Sequence, residues 1–332
     1  MRDHDRPVFC NKRRELISSA LVFALYPALA RAIDYPATTV TIVVPFPPGG
    51  STDLQGRLIA KGLSERLGKP VIVENHAGAG GEIGAGIVAR AASDGQTLLL
   101  GGSTLVIEQI LRTDLRFDAQ RDLAPVALIA EGPLILVASP SLHIDNVSAL
   151  LSLARQHPGM LAYASFGSGS HGHLAGEMLK AAAHVDLLHV PYKGGAPALL
   201  AVIGGQVAAG IVTPITAMES IRAGRVSALA VTGSRRLPAL PNVPTLAESG
   251  VPGFKLEVWS AIFVPARTPR EIIARLSKEI IAVVQSAEVA RTIEDQGAFI
   301  VTSGPDEVSR RIQSDFASTS RLVKAVNLKV DE

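Results

Sequence analysis

The chain has 332 residues, of which 47% are hydrophobic, 19% charged and only 4% aromatic, with a formal net charge of +2. Residues 1–32 hold six basic residues (Arg2, Arg6, Lys12, Arg13, Arg14, Arg31) against Asp3, Asp5 and Glu15, so this segment carries +3 and the remainder −1. That balance excludes a basic nucleic-acid face, the scarcity of aromatics argues against a stacking site for bases or sugars, and one cysteine excludes an internal disulfide or cysteine cluster.

In the first segment, Lys12-Arg13-Arg14 precedes an apolar run over 16–29 interrupted by two serines. Two small-residue sites follow, Ala28-Leu29-Ala30 and Ala30-Arg31-Ala32. This order is that of a secretory signal peptide over 1–32, cleaved near Ala30 or Ala32. The run of about 14 residues is short of the roughly 20 that span a bilayer. Arg13-Arg14 fits the twin-arginine route as well as the general one. Cys10 lies before the apolar run, so it leaves with the leader and is not a lipid anchor. The expected location is the periplasm.

From residue 39, β-branched runs alternate with alanine-rich amphipathic stretches. The expected order is strand 39–46, helix 54–67 ended by Gly68, strand 71–74, helix 84–92 and strand 97–100. Such alternation means a mostly parallel sheet covered by helices. Residues 126–139 break the rhythm with two apolar strands abutting around Glu131-Gly132-Pro133, a path that crosses between lobes. A second series follows: helix 147–156, strand 161–164, helix 170–183, strand 187–191, helix 196–203, strand 207–212, helix 215–223 and strand 228–232. Four prolines (Pro238, Pro241, Pro244, Pro252) make 237–253 an extended surface loop. The apolar run 258–265 is the return crossing. Thr268-Pro269-Arg270-Glu271 then opens a helix, with Ile272, Leu276, Ile280 and Val283 at helical spacing. Ser303-Gly304-Pro305-Asp306 starts the last helix. The two crossings imply lobe 1 over 33–132 and 258–332, lobe 2 over 133–257, and a hinge that closes over a ligand.

Three strand-to-helix turns carry the polar chemistry. Residues 45–53 (PFPPGGSTD) join the first strand to the first helix, with glycines for close approach and hydroxyls that cap the helix or bind an anion. An ordinary capped helix start is the bland alternative. Residues 165–173 (SFGSGSHGH) repeat the arrangement in lobe 2, with His171 as a pocket residue and His173 as structural. The turn at 190–198 holds Lys193, read as an exposed lysine, and Ser103 and Thr104 follow the third strand. In parallel α/β lobes a ligand sits at these carboxyl ends. None of these loops is a P-loop. No serine lies in a nucleophile elbow, and His171 with His173 make a poor metal site. The cluster 78–84 (GAGGEIG) misses the dinucleotide spacing at Ile83 and is better explained by close helix packing. No catalytic pair, metal site or cofactor is expected.

The motifs PFPPGGSTD (45–53), VENHAGAGGEIGA (73–85), YASFGSGSHGHLAGE (163–177), HVPYKGGAPAL (189–199), GGQV (204–207), LPNVPTLAESGVPGF (240–254) and WSAIFVPARTP (259–269) stand in order along the chain. Together they resemble the Bug family of periplasmic receptors, the solute-binding components of tripartite tricarboxylate transporters. The resemblance implies the two-lobed type II periplasmic binding fold with a two-crossing hinge. It also implies a ligand carboxylate held by backbone N–H groups, hydroxyls and water. Carried onto this chain, the binding residues are Phe46, Ser51, Thr52, Asp53, Ser103, Thr104, Ser168, Ser170 and His171. The chain departs from the family after GGQV, where Ala208 and Val212 replace two aspartates. A carboxylate near the second position can receive a ligand ammonium, so its absence argues against an amino acid and for a di- or tricarboxylate or another organic acid. The implied partners are that ligand and the membrane permease subunits of a tripartite transporter, with the receptor a monomer. A sensor-kinase receptor and an enzyme on the same scaffold are the alternatives.

Overall fold

The computed structural model describes residues 35–112, 115 and 117–328; the expected signal peptide and Cys10 lie outside them. Within the compact unit that begins at Pro36, two sheets carry the fold. The first contains β1 (Val40–Val44), β2 (Val71–Asn75), β3 (Thr97–Gly102), β4 (Leu123–Pro133), β10 (Glu257–Pro265) and β11 (Phe299–Ser303). The second contains β5 (Ile135–Ala138), β6 (Ala162–Ser165), β7 (Leu188–Pro191), β8 (Ala209–Val212) and β9 (Ser227–Val231). Their strand orders are β11-β4-β10-β3-β1-β2 and β7-β6-β8-β5-β9.

The two orders share one rule. In each sheet three parallel strands are followed by the strand arriving from the other lobe, set antiparallel, and then by the lobe's fourth strand. β10 fills that place in the first sheet, antiparallel to β3 and β4. β5 fills it in the second, antiparallel to β8 and β9. The chain therefore crosses twice between two α/β lobes, the architecture expected from its alternating pattern. The outward crossing is a single residue, Leu134, between β4 and β5, just beyond the expected break at Glu131–Pro133.

The helices are α1 (Ser51–Leu67), α2 (Glu82–Ala89), α3 (Ser103–Leu111), α4 (Ala119–Asp122), α5 (Val147–Gln156), α6 (His171–Ala183), α7 (Gly195–Ile203), α8 (Pro214–Arg222), α9 (Arg270–Val284), α10 (Ala287–Asp295) and α11 (Pro305–Ala325). α1 buries Ile59, Leu63 and Leu67 on one face, each side chain contributing about 1.5–3 kcal/mol. It ends at Gly68, whose φ of +66° closes the last turn with a bond to Ser64 O, a conformation that favours glycine. It begins three residues before the expected start, because Gly50 takes the cap position.

Two stretches escape the sequence pattern. Residues 101–125 contain α3, which starts directly after β3 at Ser103-Thr104 and is not among the helices expected from the sequence. Residues 285–303 contain α10 and β11, and β11 gains its pairing from β4, far away in sequence.

α11 joins both lobes. Its Val308 packs in the core of the first sheet beside Val43 and Leu99. Its Val323 joins the second lobe's core with Leu136, Leu150 and Tyr163. Midway, Arg311 bonds Glu131 of β4 (3.1 Å) and Asp315 (3.3 Å), and Asp315 accepts from the Trp259 indole of β10 (2.5 Å). The helix is thereby fixed to both long strands that lead to the crossings. Among the described residues no helix is long and apolar enough to cross a membrane.

Candidate functional site

The turn 45–50 and the start of α3 lie at the carboxyl ends of β1 and β3, which are parallel neighbours. Phe46 is half-buried, and Ser51, Thr52 and Thr104 are partly exposed. No side chain caps α1 at Gly50 or α3 at Gly102. The first-turn N–H groups of both helices therefore stay available to an anion, which each terminus attracts through its dipole. No hydrogen bond within the described chain uses the hydroxyls of Ser51 and Thr52.

Asp53 behaves differently. It is 4% exposed, and both carboxylate oxygens are engaged. Oδ2 accepts from Gly49 N–H (3.0 Å) and Arg57 Nε (3.0 Å), while Oδ1 accepts from Arg57 (3.0 Å) and Asn75 Nδ2 (2.9 Å). Asn75 also donates to Phe46 O (3.1 Å). Burial pushes the Asp53 carboxyl up, but these donors outweigh it and hold the group below its ordinary value. The geometry makes Asp53 a clamp that fixes the turn from Phe46 to Gly49. Ser103, 6% exposed, likewise accepts from Trp259 N–H (3.3 Å) and anchors β10.

In the second lobe, the turn 166–170 sits at the carboxyl end of β6. Ser170 caps α6 by accepting from His173 N–H (3.3 Å) and donates to Gly167 O (2.7 Å). Ser165 Oγ bonds Gly167 O (2.9 Å) and His189 Nε2 (2.7 Å). His173 Nδ1 accepts from Gly169 N–H (3.2 Å), and its ring stacks on His189 at 3.7 Å. His173 is structural, as expected. Ser168 is half-exposed and makes no hydrogen bond within the described chain. His171 is buried, and that burial pushes its pKa down to about 4, so it is neutral near pH 7 and offers hydrogen bonds, not charge.

The structure thus groups Phe46, Ser51, Thr52, Ser103 and Thr104 at one sheet's carboxyl edge, with Asp53 beneath. It groups Ser168, Ser170 and His171 at the other's. Among the described residues no hydrogen bond joins the two groups. Three partners were absent from the sequence reading. Arg57 follows Asp53 at i,i+4, a spacing that signals a helical ion pair. Thr213 precedes α8 at the end of β8, where its hydroxyl bonds Thr216 (2.8 Å). Glu108 of α3 lines a cavity with Phe46 and Thr104. Val212 is fully buried in a core cluster with Ile135 and Ala164, so this position presents nothing to a ligand.

The glycine cluster 78–84 packs as expected. A Cβ on Gly84 would lie 2.9 Å from Pro45 Cα, closer than real packing allows. Among the described residues no group of three or more His, Cys, Asp or Glu side chains can hold a metal ion.

The family described as the tripartite tricarboxylate transporter family receptor matches residues 56–328. The chain is 38% identical over 301 residues to Protein BugT of Bordetella pertussis, covering 90% of this chain and 92% of that protein. The structure of R. palustris Rpa4515 with adipate superposes with a TM-score of 0.85 at 34% identity, covering 89% of this chain and 99% of that one. MatC from Rhodopseudomonas palustris with bound malate gives a TM-score of 0.79 at 33% identity, covering 88% of this chain and all (100%) of that one. With its strand orders, crossings and motifs, this chain belongs to the tripartite tricarboxylate transporter receptor family, the Bug family of solute-binding proteins.

Proposed function

We propose that the protein captures one small organic acid in the periplasm and delivers it to the membrane subunits of a tripartite transporter. The observation that carries this reading is the uncapped N-terminus of α1 behind the clamped 45–50 turn. Its free N–H groups and the hydroxyls of Ser51 and Thr52 suit a carboxylate and need no arginine. Ser103 and Thr104 extend the same edge. Ser168, Ser170 and His171 are the second lobe's contribution, brought over the ligand by closure of lobe 1 (33–132 and 258–332) on lobe 2 (133–257). Phe46 covers the apolar part, and Asp53 positions the turn without touching the anion. Adipate and malate in the two similar structures support a carboxylate as the common element.

The protein acts by binding, without chemistry, and as a monomer. Family and fold are those of receptors, and His171, neutral and without an acidic partner, lacks the pairing a general base needs. Loss of the carboxylate near position 212 disfavours an α-amino acid. Native mass spectrometry of freshly purified protein, followed by a thermal-shift screen of organic acids, tests the reading. An organic acid carried through purification, and stabilisation by acids over their α-amino counterparts, is the expected result. Preferential stabilisation by aspartate or glutamate overturns it. A ligand-dependent pull-down of a sensor kinase in place of permease subunits would reassign the partner.

A further inference from the structure

The cavity at the edge of the proposed carboxylate site lies wholly in lobe 1. It opens to solvent, and Phe46 and Thr104 belong to its wall. Pro45, Leu105 and Phe117 make one part of that wall apolar, and Glu82, Glu108 and Gln109 make another part polar. The Glu108 carboxyl is lodged against Gly80, where a Cβ would overlap its oxygens and where φ is +66°. This is a cradle that only glycine leaves open.

The charges around the cavity are unequal. Glu82 and Glu108 both line it, and among the described lining residues there is no lysine or arginine. Arg112 stands nearby, but its guanidinium is 3.7 Å from Glu82. Burial, with repulsion from Glu82 added and attraction to Arg112 opposing, pushes Glu108 up to about 7. A second carboxylate entering here would meet two acids and apolar carbon, and among the described lining residues no lysine or arginine replaces its lost water. A tail of methylenes ending in a donor would lay its carbons on Phe46, Leu105 and Phe117 and donate a hydrogen bond to Glu108.

Resting on the proposed capture of a carboxylate, the geometry points to Glu108 as the residue that selects the far end of the ligand: it accepts a tail ending in a hydrogen-bond donor, hydroxyl or ammonium, and rejects a second carboxylate. The preferred ligand class is an ω-hydroxy or ω-amino acid, in contrast to the adipate of the similar structure.

Four acids of one chain length test this by calorimetry at about pH 8: hexanoate, adipate and the ω-hydroxy and ω-amino acids. The wild type should bind the donor-tailed acids at least about ten-fold more tightly than adipate. In Glu108→Gln, whose amide both donates and accepts, that ratio should fall to within about three-fold, with circular dichroism confirming the fold. The wild-type ranking stands without any variant. Adipate bound as tightly as the ω-hydroxy acid by the wild type, or a ratio unchanged in Glu108→Gln, overturns the inference while leaving carboxylate capture intact. Failure of all four acids to bind would contradict the carboxylate site itself and this selection with it.

Discussion

Thr232 and Leu134 exchange two hydrogen bonds at the point where the chain leaves the first sheet. Thr232 N–H donates to Leu134 O (3.0 Å), and Leu134 N–H donates to Thr232 Oγ1 (2.8 Å). The same hydroxyl donates to Leu256 O (2.7 Å), and Leu256 N–H returns to Thr232 O (2.9 Å). Thr232 is fully buried, so one side chain joins the outgoing and returning crossings. Thr232→Val keeps the shape but leaves two buried backbone groups short of a partner. Urea unfolding should show a loss of about 2 kcal/mol or more, whereas Thr232→Ser should stay within about 1 kcal/mol of the wild type.

The Asp53 clamp predicts a loss of binding from a residue proposed to position the turn and not the anion itself. Asp53→Asn removes the charge that holds Arg57 and one acceptor for the Gly49 turn. Calorimetry with hexanoate should show affinity reduced by about ten-fold. Because the carboxyl is held below its usual value, its contribution to folding is present above the ordinary carboxylate range and fades as pH falls through the lowered value. The turn should therefore keep its ligand down to about pH 5.

Glu108 has the opposite sign. Its folded value of about 7 lies above its unfolded one, so the folded state holds the extra proton. Stability falls as pH rises from the ordinary carboxylate range to about 7 and is fully reduced above it. At about pH 8, Glu108→Gln should be more stable than the wild type by on the order of 1–3 kcal/mol, after allowance for partial solvent screening. Parallel thermal melts at about pH 5, where the difference should vanish, check the sign.

His171 and Glu108 separate under pH. With His171 near 4, hexanoate affinity should be flat between about pH 5.5 and 8. The disadvantage of adipate should grow across the same interval, as Glu108 ionises beside Glu82. Hexanoate binding that drops through pH 6.5 would show a histidine titrating at the site.

Gly80→Ala should cost about 1–3 kcal/mol, because the residue sits at positive φ and its new carbon would displace the Glu108 carboxyl. The same variant should bring adipate closer to hexanoate in affinity, a change that simple backbone strain would not produce.

The crossings were legible because each is apolar and extended: 126–139 and 258–265 interrupt a helix-strand rhythm that is otherwise regular. The turns at 45–53 and 165–171 were legible through glycines and hydroxyls directly after buried strands. Their inner wiring was less so. Asp53 reads as a ligand residue in the sequence, and its bonds to Arg57 and Asn75 are visible only in the fold, because Asn75 comes from the neighbouring strand. Glu108 lay on α3, a helix that follows β3 with no loop between them. Thr232 looks like a strand end in one dimension, and its role exists only where three distant segments meet.

The central claim is that a carboxylate, held by helix N-termini and hydroxyls, is what the lobes close upon. Calorimetric titration of ligand-stripped protein with hexanoate and with its neutral amide tests this most directly. One saturable site for the acid, with affinity for the amide lower by at least about a hundred-fold, is the predicted result. Equal binding of acid and amide, or saturable binding of the amide alone, would contradict the account.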